Sequence, residues 1–268
     1  MKQVLTSLVS IAVALLMTGP ASAAPKIEGK PVDYKAGKVT MKGYLAYDEN
    51  VKGKRPGVLV VHEWWGHNEY ARTRARMLAE LGYTALAVDM YGEGKQAMHP
   101  DDAMKFSSEA MKNFDVSKAR FLAAMNFLKK QPTVDPKRIA AIGYCFGGGV
   151  VLNMARQGVD LKAVASFHGS LAAVKPAEAG KVKAKVRVYM GADDKFVTAE
   201  AIEAFKKEMT DAKVDYQYIS YPGAIHSFTN PDATELGKKF NLPLAYNADA
   251  DKKSWEDMTK FFEMIFKK

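Results

Sequence analysis

Residues 138–149 have the sequence RIAAIGYCFGGG, and this stretch decides how the fold is interpreted. The apolar run that ends at Gly143 predicts a buried strand, and the apolar pattern over Phe146–Arg156 predicts a helix directly behind it. Between them, GYCFG matches the G-x-S-x-G turn with Cys145 in the place of serine. Such a turn projects its central side chain, because the glycines let neighbouring backbone pass close by. The stretch therefore predicts a nucleophilic thiol held between a strand and a helix.

The alternation of buried strand and amphipathic helix runs through the rest of the chain. Further strands are predicted at 57–61, 84–88, 161–167, 186–190 and 214–221, and helices at 69–81, 101–112, 116–130, 198–211 and 250–266, with Asp101 and Thr198 as N-caps. Parallel strands need crossover connections and hide both faces. The alternating order of strands and helices therefore predicts an α/β fold with a mostly parallel central sheet and helices on both faces. Antiparallel edge strands are predicted before it, at 38–47.

The composition is that of one globular domain. The chain has 268 residues, 48% hydrophobic and 26% charged, which excludes collagen-like and disordered classes. A domain of this size buries its own core, so we expect a monomer. The formal charge is +9, but the lysines are spread out, with only short clusters at 181–185 and 252–253, so we expect no nucleic-acid partner. A single cysteine forms neither an intrachain disulfide nor a cysteine-based zinc site.

The N-terminus has the pattern of a secretory signal peptide. Lys2 precedes an apolar run at 8–17, and Ala21-Ser22-Ala23 places small residues where a signal peptidase cleaves. The run is shorter than the roughly 20 residues needed to span a bilayer. We predict a signal peptide at 1–23, a single mature domain at 24–268 with no membrane anchor, and export to the periplasm or beyond the cell.

Two further strand ends supply partners for the thiol. A thiol nucleophile needs a base, and the base needs an acid that orients it. Asp193 and Asp194 both follow the strand at 186–190, and His226 follows the last strand. The chain order of Cys145, an aspartate and His226 is that of nucleophile, acid and base in α/β-hydrolases. The residues themselves leave Asp193 and Asp194 as alternatives for the acid.

The segment HEWWGH at 62–67 invites comparison with the H-E-x-x-H zinc motif. That motif places two histidines four residues apart on one helix face, whereas His62 and His67 are five apart, about 140° from that alignment. We therefore predict no metal site, and no cofactor. His67 is instead predicted to line the mouth of the substrate pocket. Trp65 is either a pocket residue or a packing residue, and His168, which follows the strand at 161–167, is either a pocket residue or a histidine satisfied in the core or a loop.

These segments together resemble the dienelactone hydrolase family, cysteine-dependent members of the α/β-hydrolase superfamily. The matching segments are VVHEWWG at 60–66, DMYG at 89–92, GYCFGG at 143–148, GADDKFV at 191–197 and HSF at 226–228. The resemblance implies an α/β-hydrolase fold and favours Asp194 as the acid. It also implies that Glu63 contacts the resting thiol, and that the backbone N–H groups of Phe146 and Trp64 form the oxyanion hole. Tyr91 is a predicted pocket residue.

The chain departs from the family pattern where the substrate carboxylate would bind. By that pattern two arginines bind the carboxylate, one shortly after the D-x-Y segment and one four residues after the catalytic histidine. Here residues 92–95 are GEGK and the later position is Asn230. Lys95 supplies one positive charge to the predicted pocket, but a lysine cannot form the bidentate contacts of a guanidinium. Hydrolysis is therefore better supported than dienelactone as the substrate.

The predicted function is hydrolysis of a small-molecule ester or lactone through a thioester acyl-enzyme. The alternative is a noncatalytic protein on the same scaffold that binds a ligand or uses its thiol as a redox sensor. The triad favours the enzyme, since a binding protein has no need of a base and an acid at those strand ends.

Overall fold

The structure, a computed structural model, describes residues 24–267. Over these residues the strands are β1 (Ile27–Ala36), β2 (Val39–Asp48), β3 (Arg55–Val61), β4 (Thr84–Val88), β5 (Val134–Tyr144), β6 (Ala163–Phe167), β7 (Lys185–Gly191) and β8 (Tyr216–Tyr221). The helices are α1 (Glu69–Glu80), α2 (Pro100–Lys112), α3 (Phe114–Lys129), α4 (Phe146–Arg156), α5 (Ala199–Asp211), α6 (Ala233–Phe240) and α7 (Ala248–Phe266).

All eight strands belong to one sheet with the order β1-β2-β4-β3-β5-β6-β7-β8. The β1–β2 and β2–β4 pairs are antiparallel, and every neighbouring pair from β4 to β8 is parallel. The predicted α/β class is confirmed, as is an antiparallel edge, but only β2 lies in the predicted range 38–47 and its partner β1 was not predicted. The carboxyl ends of β3, β5, β6, β7 and β8 therefore lie along one edge of the sheet, where their following loops can meet.

The core consists of two layers, one on each face of the sheet. Along β3, Leu59 and Val61 pack into the layer shared with α3, α4 and α5, whereas Val58 and Val60 pack into the layer shared with α1 and α7. Strand side chains alternate between faces, so a fully buried apolar strand feeds both layers at once. Burying each such side chain contributes roughly 1.5–3 kcal/mol, which holds the central strands and their carboxyl ends in place.

Two local features differ from the sequence-based expectation. Helix α2 begins at Pro100, and its N-cap is His99, whose Nδ1 accepts a hydrogen bond from the Asp101 N–H at 3.3 Å. Asp101 lies within the first turn instead, because proline fits the first helical position with its fixed φ. Helix α6 was not predicted, since it spans only eight residues. The predicted Thr198 cap of α5 is confirmed.

The predicted signal peptide at 1–23 lies outside the described residues. Between residues 24 and 267, no helix combines the length and the hydrophobicity that crossing a membrane requires.

Candidate active site

Cys145 occupies a tight turn between β5 and α4. Its backbone has φ 51° and ψ −115°, a conformation that a residue other than glycine adopts only where the surrounding structure holds it. A Cβ atom on Gly143 would lie 2.8 Å from the Gly148 nitrogen, and one on Gly147 would lie 2.6 Å from the His62 carbonyl oxygen. Both turn positions therefore require glycine, because the atoms they approach belong to the backbone.

The acid and the base meet the thiol at the carboxyl ends of β5, β7 and β8. His226 Nε2 lies 3.1 Å from Cys145 Sγ, and His226 Nδ1 lies 2.8 Å from Asp194 Oδ2. Asp193 is exposed, and its carboxylate accepts a backbone N–H of the loop after β8. The structure places Asp194 rather than Asp193 on the imidazole. His226 Nδ1–H thus donates to a carboxylate while Nε2 faces the thiol.

The surroundings of His226 favour its protonated form. Burial by itself lowers the pKa of a histidine, but the charge of the Cys145 thiolate and the hydrogen bond to Asp194 together raise the pKa of His226 to about 10. The ring of Phe196 covers the imidazole edge-on, with ring centroids 4.8 Å apart. The 3.1 Å contact between Nε2 and Sγ places the imidazole where it can take the proton of the thiol.

Glu63 lies beside the triad, and its carboxylate bonds to side chains other than the thiol. Its side chain is buried, Oε1 accepts from the Ser227 hydroxyl at 2.9 Å, and Oε2 accepts from the Asn230 amide at 2.6 Å. Burial raises the pKa of Glu63, and these two hydrogen bonds partly oppose that effect. This corrects the expected Glu63–thiol contact, because Sγ is hydrogen-bonded to His226 and each Glu63 oxygen has its own donor.

His168 contacts the backbone of the nucleophile and does not line the cavity. Its Nδ1 accepts the Cys145 N–H at 3.2 Å, and its Nε2 lies 2.7 Å from the Thr229 hydroxyl, which lies 2.6 Å from the Tyr70 hydroxyl. Burial and then the positive charge of His226 hold the pKa of His168 well below its ordinary value, so the ring is neutral. Of the two alternatives for His168, the structure shows the buried histidine with both ring nitrogens bonded, which supports the nucleophile turn and does not line the pocket.

A cavity of about 350 Å³ opens onto the thiol. Besides Cys145 and His226 it is lined by Trp64 and Phe146, and by residues that sequence analysis did not identify: Ser107, Ser108, Met111, Gly149, Ser170, Phe196, Val197 and Leu244. Three of these belong to α2, where Ser107 and Ser108 lie four and three residues before Met111, the spacings that bring side chains to one helix face. The amphipathic pattern of α2 was visible in the sequence, but the element it would face was not.

Four other predicted pocket residues lie outside this cavity. Trp65 is buried against Phe240 of α6, with ring centroids 6.0 Å apart. His67 is also buried, and burial lowers its pKa to about 3. Tyr91 donates its hydroxyl to the Trp64 carbonyl at 2.9 Å, and it lines a separate cleft together with Lys95. Trp65 thus packs against α6 and Tyr91 against Phe106 of α2, with the latter ring centroids 5.5 Å apart, whereas Lys95 is exposed.

The histidines of the HEWWGH segment do not form a zinc site. His62 is fully buried, its Nδ1 bonds to the Glu63 carbonyl, and its Nε2 accepts the Met90 N–H at 3.2 Å. Both ring nitrogens are therefore occupied. In the part of the chain that the structure describes, no three His, Cys, Asp or Glu side chains are grouped so as to hold a metal ion.

Two backbone amides near the thiol have no hydrogen-bond acceptor within residues 24–267. Phe146 N–H is the first of α4, where no intrahelical acceptor exists, and Trp64 N–H likewise donates to no protein atom there. The next amide of α4, Gly147 N–H, already donates a hydrogen bond to the His62 carbonyl at 3.1 Å. The positive end of the α4 dipole lies at the same place and favours negative charge.

Comparison with known proteins places the chain in a family. A sequence profile described as the dienelactone hydrolase family matches residues 41–266. The chain belongs to this family. Protein usf of Aquifex pyrophilus is 31% identical over 229 residues, which are 81% of this chain and 97% of that protein. The predicted family, the α/β-hydrolase fold and the class of enzyme, a hydrolase, are confirmed.

Two solved structures are similar to this dienelactone hydrolase-family chain over nearly its whole length. One is a dienelactone hydrolase-like promiscuous phosphotriesterase from metagenomic libraries, 37% identical with a TM-score of 0.84 over 90% of this chain and 99% of that chain. The other, named m3DLH, is 38% identical with a TM-score of 0.85 over the same shares of the two chains.

The site of this family member combines a paired thiol, an oriented base and free backbone donors beside an apolar cavity. Asn230, which stands where the family pattern has its second arginine, is bound to Glu63. The arrangement is suited to attack on a carbonyl carbon, since it holds a nucleophile, a proton carrier and donors for an oxyanion.

Proposed function

We propose that this dienelactone hydrolase-family protein cleaves carboxylic esters or lactones through a thioester acyl-enzyme. The supporting observation is the continuous line of contacts from Asp194 through His226 to Cys145, at distances of 2.8 and 3.1 Å, opening onto one cavity. A thiolate next to an imidazolium is both a nucleophile and, through its partner, a source of the proton that the leaving group needs.

In the acylation step the Cys145 thiolate attacks the carbonyl carbon, a C–S bond forms, and the carbonyl electron pair moves to oxygen. The N–H groups of Phe146 and Trp64 stabilise this oxyanion. When the intermediate collapses, the C–O bond of the ester breaks and His226 gives its proton to the departing alkoxide. The products of this step are an alcohol, or the tethered hydroxyl of an opened lactone, and a thioester on Cys145.

Deacylation reverses the proton transfers. Neutral His226 takes a proton from water, the hydroxide equivalent attacks the thioester carbonyl, and the collapse expels the Cys145 thiolate with release of the carboxylic acid. Asp194 holds the imidazole by Nδ1 throughout, so Nε2 faces the reacting atoms and the imidazolium is stabilised each time it forms.

The test is hydrolysis of 4-nitrophenyl and lactone substrates by the purified protein, with Cys145→Ala and Cys145→Ser as paired variants. We expect loss of activity on iodoacetamide treatment and in Cys145→Ala, and an acyl adduct on Cys145 detected by mass spectrometry after rapid quenching. Hydrolysis by Cys145→Ala at the wild-type rate would refute the proposed nucleophile.

Phosphotriester hydrolysis is a second candidate. It is favoured by the 37% identity to a promiscuous phosphotriesterase of the same family and by a cavity that has no charged residue in its lining besides the catalytic pair. Release of 4-nitrophenol from diethyl 4-nitrophenyl phosphate, absent in Cys145→Ala, would support it. Its absence in the wild type would leave ester hydrolysis as the function.

We also propose that the protein is exported and that the mature domain is a monomer, on the strength of the N-terminal pattern and the size of the domain. Expression of the full chain in a bacterial host should give a periplasmic or secreted product that begins at Ala24, as determined by N-terminal sequencing. Light scattering on that product should give the mass of one chain. An unprocessed cytoplasmic protein would contradict export.

A further inference from the structure

We propose that this site selects uncharged esters with an apolar acyl group and rejects substrates that bear a carboxylate. The inference rests on the proposed ester hydrolysis and specifies the substrate class of the same site.

The lining of the cavity offers a substrate anion no cation. Apart from the catalytic Cys145 and His226, its side chains are aromatic, aliphatic, thioether or hydroxyl, with one glycine and no lysine, arginine, aspartate or glutamate among them. One of its three hydroxyls, that of Ser107, already donates to the Ala103 carbonyl at 2.7 Å, and the other two are uncharged donors. A carboxylate inside would lose its water shell without a charged partner to replace it.

The cationic side chains that flank the site in the sequence or in the fold do not reach into the cavity. Arg74 is buried and paired with Asp251 at 2.6 Å. Lys95 and Arg120 line a different cleft, and Arg120 donates to a backbone carbonyl at 2.7 Å. Lys195 is exposed and, unlike its neighbour in sequence, does not line the cavity. None of these side chains contributes to the surface that an acyl group would contact.

The acidic groups behind the thiol offer a substrate anion no partner. Asp194 and Glu63 are buried there, and their oxygens already accept hydrogen bonds from His226, Ser227 and Asn230. The amide of Asn230 points its donor at Glu63, so it is not available to a ligand. A carboxylate on the acyl part of a substrate would therefore be desolvated without a charged side chain to pair with.

Apolar side chains extend from the cavity to the surface. Met111 lines the cavity from α2, and Met104, seven residues earlier on the same helix face, is 57% exposed. Phe196 belongs to the lining and is 56% exposed. An apolar acyl chain that leaves the cavity past Phe196 covers apolar surface that water would otherwise contact, which favours its binding.

The test compares two esters of equal length, 4-nitrophenyl hexanoate and the mono-4-nitrophenyl ester of hexanedioic acid. They differ only in a terminal methyl or carboxylate, and their uncatalysed rates are subtracted. We expect kcat/KM of the wild type to be at least about tenfold lower for the carboxylate ester, the effect of one unpaired buried charge.

Ser108→Arg adds a cation at a lining position that is exposed to solvent, and Ser108→Gln is its uncharged control. The arginine should raise kcat/KM of the carboxylate ester relative to the neutral ester by about two- to fivefold, as for an exposed charge pair, and the glutamine should not.

A wild type that hydrolyses both esters equally, or prefers the carboxylate, would overturn the inference while leaving ester hydrolysis intact. Failure to hydrolyse either ester above background would instead refute the proposed function. An equal gain for both esters in Ser108→Arg would contradict charge as the basis of selection.

Discussion

The nucleophile turn makes a quantitative prediction for alanine at Gly147. The new methyl would lie 2.6 Å from the His62 carbonyl oxygen and still closer to the Val61 carbonyl oxygen. Reaching an ordinary contact of 3.4 Å needs a displacement of at least 0.8 Å within the backbone that holds Cys145. Forcing a group into a packed site costs about 1–3 kcal/mol, from which the helix preference of alanine over glycine recovers about 0.5–1 kcal/mol. A misplacement of about 1 Å at a reacting atom lowers kcat by about 10²-fold.

Gly149→Ala is the matched control, because it changes the same helix two residues later. A Cβ there would lie 3.4 Å from the Ser170 Cβ, which is an ordinary contact. We expect this variant to be as stable as the wild type or more stable by up to about 1 kcal/mol.

The two variants are compared by urea unfolding followed through tryptophan fluorescence, and by kcat with a neutral 4-nitrophenyl ester. Gly147→Ala should lose about 1–2 kcal/mol of unfolding free energy, and each kcal/mol should lower Tm by roughly 2–4 °C. The reasoning is refuted if Gly147→Ala unfolds at the wild-type urea concentration with kcat within about twofold of wild type, since the close approach of the backbone would then have no consequence.

Four further predictions concern the groups around the thiol. Asp194→Asn should lower kcat by on the order of 10³-fold or more, because the amide favours the wrong imidazole tautomer; a steady-state rate near wild type would contradict that role. Asn230→Ala should lower the unfolding free energy, measured by urea denaturation, by about 1–3 kcal/mol, because it leaves one buried Glu63 oxygen without a donor. An unchanged urea midpoint would show that the unsatisfied oxygen carries no such cost. Because the folded-state pKa of His226 is raised to about 10 from 6.5, the stability it contributes is full below about pH 6.5 and is lost as the pH rises through about 10. The difference in unfolding free energy between wild type and His226→Gln should therefore become smaller as the pH rises from about 6.5 to about 10. A difference that becomes larger would contradict this prediction. His168→Phe should lower kcat more than it changes KM, since His168 contacts the nucleophile backbone rather than the cavity; a KM effect alone would place it in substrate binding.

Local patterns were sufficient to predict the catalytic order but not the binding surface. The strands before Cys145, Asp194 and His226 are β5, β7 and β8, which run parallel in one sheet, so their carboxyl ends lie along the same edge. Trp65 and His67 also follow a strand, yet their side chains pack away from the cavity. Position after a strand predicts which loop a residue belongs to, but the neighbouring helices decide which way its side chain turns.

The contacts of Glu63 illustrate the same limit. Its donors are on Ser227 and Asn230, the latter 167 residues away in the chain. A motif that contains Glu63 indicates that a carboxyl group is present near the thiol, but it does not indicate which of several nearby donors the carboxyl group will bind. That choice depends on the spacing between two loops, which follows from how β3 and β8 are placed in the sheet.

The sequence by itself determined the thiol turn, the order of nucleophile, acid and base, and the α/β class, because glycine sterics and hydrophobic periodicity act over a few residues. The choice of Asp194 over Asp193, which the residues left open and the family resemblance favoured, is settled by its contact with the imidazole. Only the tertiary structure decided that His168 supports the nucleophile backbone, and that α2 supplies one wall of the cavity. These outcomes depend on packing between segments far apart in the chain, where burial and hydrogen-bond geometry select one arrangement among many that the local pattern allows.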